Sequence, residues 1–382
     1  MNSYNNTQES EIAMVGSGTQ DALDTLPPLY AKWLREVVTG PIPAETKATC
    51  ASCAMCKDDS KRPAVLSIYF EPAIKCCTYM PEMFNFLVGN LLADSGSDSN
   101  LKSGQRALEL RIAQKIAVSP YGVGATPKFN RLYKNSGTDF GKNPELLCPY
   151  YNVKEGLCGV WRYRNSICAT WFCKHERGAV GLEFWRLVRL WLTSIEQSLV
   201  RWCVSKLNLD EQALLTLFAP PFPPDNAAKE AIAEDSVDFK LYRKQWGQWL
   251  GREQEFYLKC AELVNELSWL EVGQICGPQT QILADLTQKA YQKLVTDQTT
   301  EVLQVIPLKV LGKQGEYSYL RTYRDFDPLG VPTKLVAALN YFNGKPTSEV
   351  LQAIETETGL RVNPNLVRKL ADFNLLVPVE NE

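Results

Sequence analysis

Apolar side chains recur at helical spacing over much of the chain. In residues 179–207 the positions Phe184, Val188, Trp191, Ile195, Leu199 and Trp202 repeat at gaps of four, three, four, four and three, which predicts one long amphipathic helix with a continuous buried stripe. Phe84, Leu87, Val88 and Leu91 predict a helix whose first turn holds Pro81 and Glu82, and Leu108, Ile112 and Ile116 predict another over residues 101–118. Residues 236–275 read as one or two helices, with Phe239, Tyr242, Trp246, Trp249, Phe256, Leu263 and Leu267 supplying apolar faces, and a further helix follows Pro278. Ahead of them, Pro220-Pro-Phe-Pro-Pro224 is expected to form a stiff connector.

Toward the C-terminus the pattern changes. Residues 302–311 and 317–323 look like two strands joined by Gly312-Lys-Gln-Gly315, a hairpin signal. Three short helices and a strand follow: one on Leu335, Val336, Leu339 and Phe342, one on Val350, Leu351 and Ile354 that stops at Gly359, and one that begins at Asn363-Pro364 and buries Leu366, Val367 and Leu370. This order resembles a winged-helix module, and through Phe342-Asn-Gly-Lys-Pro-Thr347 and Leu375-Leu376 it weakly resembles the small domains that hold leader peptides for modifying enzymes. Residues 327–382 carry five cations and seven acids, a balance that repels phosphate, so a protein or peptide partner is expected and nucleic acid is not.

The chain has 382 residues, 41 Lys and Arg against 43 Asp and Glu, and 45% hydrophobic residues, the composition of a soluble globular protein of one to three domains. It has no run of eighteen apolar residues, and its first 24 residues hold four acids and no Lys or Arg, so neither a membrane span nor a signal peptide is expected. A cytoplasmic setting follows. Residues 1–25 are polar and lack hydrophobic period, and are expected to be disordered.

Twelve cysteines against one histidine is the unusual feature. In a reducing compartment cysteines are more often ligands or redox groups than disulfides. Nine of them, Cys50, Cys53, Cys56, Cys76, Cys77, Cys148, Cys158, Cys168 and Cys173, lie in one stretch of the chain. Cys50-x-x-Cys53-x-x-Cys56 has the spacing of a chelate loop. Cys76 and Cys77 stand just before the expected helix at Pro81, whose positive end would favour thiolate. Residues 148–178 bring Cys148, Cys158, Cys168 and Cys173 at wider gaps, with five cations against two acids and six aromatic residues, suited to offset thiolate charge and keep a site dry. His175 is left three roles: a ligand, a donor to sulfur, or a residue facing water. Cys203, Cys260 and Cys276 fall on helices and read as small core residues. A redox dithiol at Cys53 and Cys56 lacks a surrounding βαβ pattern, and Gly122-Val-Gly124, without a predicted strand before it, is not read as a phosphate loop.

These residues resemble the zinc- or iron-chelating cysteine-cluster proteins, whose mark is a tight CxxCxxCC group followed by Cys-Pro, Gly-x-Cys and an Arg-then-Cys series. Cys50, Cys53, Cys56, Cys76 and Cys77 look like the first half; Cys148-Pro149, Gly156-Leu157-Cys158, Arg164, Cys168 and Cys173 look like the second. The departure is that nineteen residues separate Cys56 from Cys76, and a ninth cysteine is present. Flagellin lysine methylases carry a similar set, but no methyl-donor glycine loop is visible here. The resemblance implies iron–sulfur or zinc binding.

The expected protein is therefore mainly α, with irregular cysteine-rich metal-binding loops and a small α+β winged-helix-like C-terminal domain. Its expected divisions are a tail at 1–25, a cysteine-cluster domain at 26–207, a helical domain at 208–300 and the winged-helix-like domain at 301–382. An iron–sulfur cluster is the expected cofactor, with zinc the alternative, because sulfur-only ligation and adjacent cysteines suit a cluster better than one tetrahedral ion. Electron transfer or maturation of a partner protein follows from the first, a protein-interaction module from the second. Catalysis stays open: no nucleophile elbow, P-loop or telling carboxylate pair is present.

Overall fold

The computed structural model describes residues 21–45, 50, 53–56, 63–218, 237–296 and 301–379. The expected connector at Pro220–Pro224 lies outside them. The fold is mixed α+β and mainly helical, with four small antiparallel sheets.

Its organising element is the long helix read from the sequence. Glycine, alanine and then twenty-odd residues without proline run as one helix, α6, over Gly178–Lys206, about 43 Å at 1.5 Å per residue. Phe184, Val188, Trp191, Ile195 and Leu199 are all fully buried, as their spacing requires, and Cys203 continues the stripe. Sharing its core are α1 (Pro28–Arg35), α2 (Asn85–Ala93), α3 (Ser99–Gln114), the short α5 (Ser166–Ala169), α7 (Glu211–Phe218), α8 (Phe239–Trp246), α9 (Glu253–Glu266), α10 (Trp269–Cys276) and α11 (Pro278–Val295), while α4 (Pro127–Asn135) lies between α3 and α5 in the chain. One apolar core runs through these elements from Ala22 to Leu294, and the expected boundary at 207 falls inside it. Cys203 and Cys260 are fully buried in this core, with the Cys203 thiol pointing at the Cys260 carbonyl (3.8 Å), as small hydrophobic residues do.

Several expectations are corrected. Of the expected disordered tail at 1–25, residues 1–20 lie outside the described residues, and residues 21–25 are ordered, with Ala22–Thr25 forming a 3₁₀ turn in which Ala22 and Leu23 are buried. The helix expected from Pro81 begins at Asn85, because Met83–Phe84 (β1) is drawn into a sheet with β2 (Val118–Ser119) and β3 (Gly122–Val123). Gly122, where no strand was expected, thus lies in the middle strand of that sheet, with Tyr257 donating to its carbonyl (3.2 Å). Residues 236–275 make three helices, not two, and Phe239 is 58% exposed, so it adds nothing to the apolar face assigned to it.

In the C-terminal part, Pro307 cannot donate to a ladder, and the expected strand at 302–311 divides there. Val302–Val305 (β6) pairs with β10 (Asn343–Pro346) and β11 (Leu376–Pro378), whereas Val310–Gln314 (β7) turns through Gly315 into Tyr317–Leu320 (β8) and Leu329–Pro332 (β9). The three helices stand where the sequence puts them: α12 (Thr333–Ala338), α13 (Thr347–Thr358) ending at the left-handed Gly359, and α14 (Pro364–Asp372) capped by Asn363. They enclose a second core of their own around Leu303, Leu320, Val350, Ile354, Val367, Leu370 and Leu375.

Helix α2 lies so close to α9 that a methyl group at Gly89 would stand 1.9 Å from the Tyr257 carbonyl oxygen. Alanine gains about 1 kcal/mol of helix propensity, but forcing two backbones apart costs about 1–3 kcal/mol and spoils the packing beneath. Gly89→Ala should therefore lower the urea midpoint of unfolding; an unchanged or raised midpoint would mean that the crossing is loose.

Candidate metal centre

The nine upstream cysteines come from separate segments: Cys53, Cys56, Cys76 and Cys173 pack in one small apolar cluster, whereas Cys77, Cys148 and Cys158 pack against the main core. Cys53 and Cys56 share a single 3₁₀ turn, closed by the Cys56 amide on the Cys53 carbonyl (3.0 Å) and held by the Phe70 amide on Met55 (2.8 Å). Cys76 and Cys77 sit in a turn made possible by Lys75 in the left-handed region (φ 57°). The Lys75 ammonium then donates to the carbonyls of Cys50 (2.8 Å) and Gly156 (2.6 Å), tying three cysteine-bearing segments together. The Cys148 amide donates to the Cys77 carbonyl (2.8 Å). Cys158 lies in β5 (Leu157–Cys158), paired with Tyr151 of β4 (Tyr151–Asn152), and that hairpin rests on α3 through Gly104 and Gly159, where any Cβ would meet backbone within 3 Å. Cys168 is in α5, its amide bonded to the capping Asn165 side chain (3.0 Å).

All twelve cysteines are free thiols; Cys148 and Cys173 are buried and the other seven upstream ones half-buried. Neighbouring thiols shift one another: Cys56 lowers Cys53 to about 6, against burial, while Cys50 is pushed well up by Cys76 and by burial, and Cys56 by Cys53 and by burial. Burial raises Cys148, Cys158, Cys168 and Cys173, the last two to about 12. The helix-dipole argument for Cys76 and Cys77 does not hold, since α2 starts eight residues beyond them, and both are raised rather than lowered. Among the described residues, no group of three or more His, Cys, Asp or Glu is arranged so as to hold a metal ion.

Cations frame these thiols. Arg164 is 8% exposed, lies 3.3 Å over the Trp161 ring, and gives its hydrogen bonds to the carbonyls of Trp161, Thr25 and Cys168. The negative groups acting on it would be the thiolates of Cys158, Cys50, Cys168 and Cys76. Arg111, also buried, bonds Tyr150 and acts on Cys148. Arg324 stacks over Trp171 and Phe326, donates to the Phe172 carbonyl (2.6 Å), and acts on Cys173. A buried guanidinium beside neutral thiols is an uncompensated charge; beside thiolates it is matched. The buried Trp171 indole N–H lacks an acceptor of good geometry, and it is the Cys173 thiolate that it would stabilise. Buried cations and one indole donor thus lie beside these thiols and would offset negative charge on them.

The histidine is not solvent-facing. His175 is 1% exposed, its amide donates to Asp327 (3.2 Å), and its Nδ1 meets the Tyr323 hydroxyl (3.1 Å), which in turn donates to Asp327 (2.6 Å). Sequence reasoning did not anticipate this contact with the C-terminal part, nor Glu196. Glu196, on α6 at 1% exposure, accepts from the Ser166 amide (2.7 Å) and hydroxyl (2.5 Å), and from Tyr30. It fixes the start of α5 and so positions Cys168. Its place in the apolar stripe, one residue after Ile195, was the signal to find it.

No protein-family profile, curated protein or solved structure matches the chain.

Burial raises Glu196 from 4.5 to about 7. A carboxyl whose folded value exceeds its unfolded one favours folding while protonated, so stability should fall as pH rises from the unfolded value through about 7, by on the order of 3 kcal/mol. Glu196→Gln removes the ionising group and should flatten the unfolding midpoint between pH 5 and 8; an equally steep profile in the variant would assign the dependence elsewhere.

Proposed function

We propose that the protein is an iron–sulfur protein whose nine upstream thiols, Cys50, Cys53, Cys56, Cys76, Cys77, Cys148, Cys158, Cys168 and Cys173, hold the cofactor, and that it exchanges electrons with a protein partner or serves that partner's maturation. The observation that carries this reading is Arg164: a buried cation, bonded to carbonyls, ringed by thiols that offset it only when deprotonated. The motif-level resemblance to chelating cysteine-cluster proteins points the same way. When bound, such a cluster supplies one-electron exchange. The chain's own residues would present thiolates, keep water away with Phe70, Phe140, Trp171 and Phe326, and tune charge with Arg111, Arg164 and Arg324.

We take the C-terminal part as a winged-helix-like module for a protein or peptide. Three helices with flanking antiparallel strands and a surplus of acids support that reading. An open cleft of about 720 Å³, lined by apolar residues such as Val305, Leu308 and Val336 and by Lys313, Thr333 and Asn340, offers it a mixed surface. Free thiols throughout fit a reducing setting such as the cytoplasm, and among the described residues no helix is long and apolar enough to cross a membrane.

Protein purified without oxygen should be brown and hold iron with acid-labile sulfide. Cys53→Ser and Cys168→Ser should lose metal, whereas Cys276→Ser should keep it. A colourless protein with stoichiometric zinc, or equal metal in all three variants, contradicts the proposal.

A further inference from the structure

Phe239 breaks the burial pattern of α8. Tyr242 and Trp246 are buried in the main core, yet Phe239 is 58% exposed and Leu241 43% exposed. A ring and a leucine on one short helix thus leave in water the kind of apolar area that folding removes from their neighbours. Cations frame them. Lys240, Arg243 and Lys244 are all exposed on α8, and the helix holds no acid. From the end of α3, the Lys115 ammonium stands 5.9 Å from the centre of the Phe239 ring and 5.5 Å from that of Tyr242. Among the described residues, no ion pair ties any of these four cations to an acid. Two acids adjoin the helix, and both are engaged: Asp238 caps it by accepting from the Lys240 and Leu241 amides (2.9 Å each), and buried Glu253 accepts from the Tyr242 hydroxyl (2.9 Å). In a chain with a slight excess of acids, this surplus of positive charge is local.

We propose that this face, Phe239 and Leu241 framed by Lys115, Lys240, Arg243 and Lys244, docks the protein on an anionic lipid surface. The two apolar side chains enter the boundary between headgroups and acyl chains, while the ammonium and guanidinium groups stay at the level of the lipid phosphates. Tyr242 and Trp246 fix the opposite side of α8 in the core, so the face is presented already ordered. Three of the four cations are lysines, compact point charges on flexible stems that need no fixed partner geometry. That suits a fluid layer of phosphates better than an acidic protein, which would have to match each charge in place. Among the described residues no helix is long and apolar enough to cross a membrane, and the docking is peripheral. Two apolar side chains make a weak anchor, so attachment is reversible and depends on charge. No cysteine and no cofactor takes part.

The test is sedimentation of the full chain with vesicles of phosphatidylcholine alone and of equal parts phosphatidylcholine and phosphatidylserine. Wild type should sediment with the mixed vesicles only, and should be released at about 1 M salt, where charge is screened within about 3 Å. Lys240→Glu with Lys244→Glu, and Phe239→Ser with Leu241→Ser, should each weaken binding about tenfold or more. Arg131→Glu with Lys134→Glu, the same change of charge on the exposed face of α4, should bind as wild type does. Acetylation of wild-type lysines, read by mass spectrometry, locates the face without any substitution: mixed vesicles should protect Lys240 and Lys244 but not Lys134. Failure to sediment with either vesicle, equal loss in the α4 variant, or equal acetylation of Lys240 and Lys244 with and without vesicles overturns the proposal. So does binding of polyuridylate or polyglutamate, abolished by Lys240→Glu with Lys244→Glu, in a protein that ignores vesicles; the face would then belong to a nucleic acid or an acidic protein.

Discussion

A guanidinium buried beside sulfur is the constraint on which the site depends. Arg164 is taken from water, stacks on Trp161, and finds main-chain oxygens for its N–H groups, yet its charge has to be met by something. Leaving such a charge unmatched costs several kcal/mol. Thiols raised by burial do not meet it, because they stay protonated at neutral pH. Thiolates do. Under the proposed function, a bound metal centre would keep several of these buried thiols ionised and so match the Arg164 charge.

The scaffold around that site follows from ordinary packing. Helix α6 carries the main core on one stripe and, through Glu196 and Ser166, holds the short helix that bears Cys168. Its N-terminus is fastened to the C-terminal part by Arg177, which grips Asp372 at 2.5 and 3.1 Å and the carbonyls of Leu294 and Thr296. With His175 on Tyr323 and Arg324 on Phe172, these contacts join the cysteine segments to the C-terminal part, at the loop after β8 and the end of α14. A change of charge at the sulfurs would therefore be felt at this seam, where Asp327 and Asp372 lie buried.

How much was legible in the sequence varies with the range of the interaction. Helix α6, the capped α14 and the stop at Gly359 depend on spacing and local conformation, and they stand where the residues put them. The clustering of cysteines in the front half was legible too, since it is a matter of counting. What was not legible required partners distant in the chain: Met83 and Phe84 extended because Val123 and Gly122 pair with them, β6 parted from β7 at Pro307 because two other strands claim it, and His175 was buried by residues some 150 positions later. That Cys76 packs in one apolar cluster and Cys77 in another could not be read either, because both depend on residues distant in the chain.

The claim that most of this account turns on is that iron is held by sulfur alone. X-ray absorption at the iron edge of the anaerobically purified protein measures that directly. The account predicts a first shell made only of sulfur and a second shell of neighbouring iron. A first shell containing nitrogen or oxygen, or absorption at the zinc edge with none at the iron edge, would contradict it.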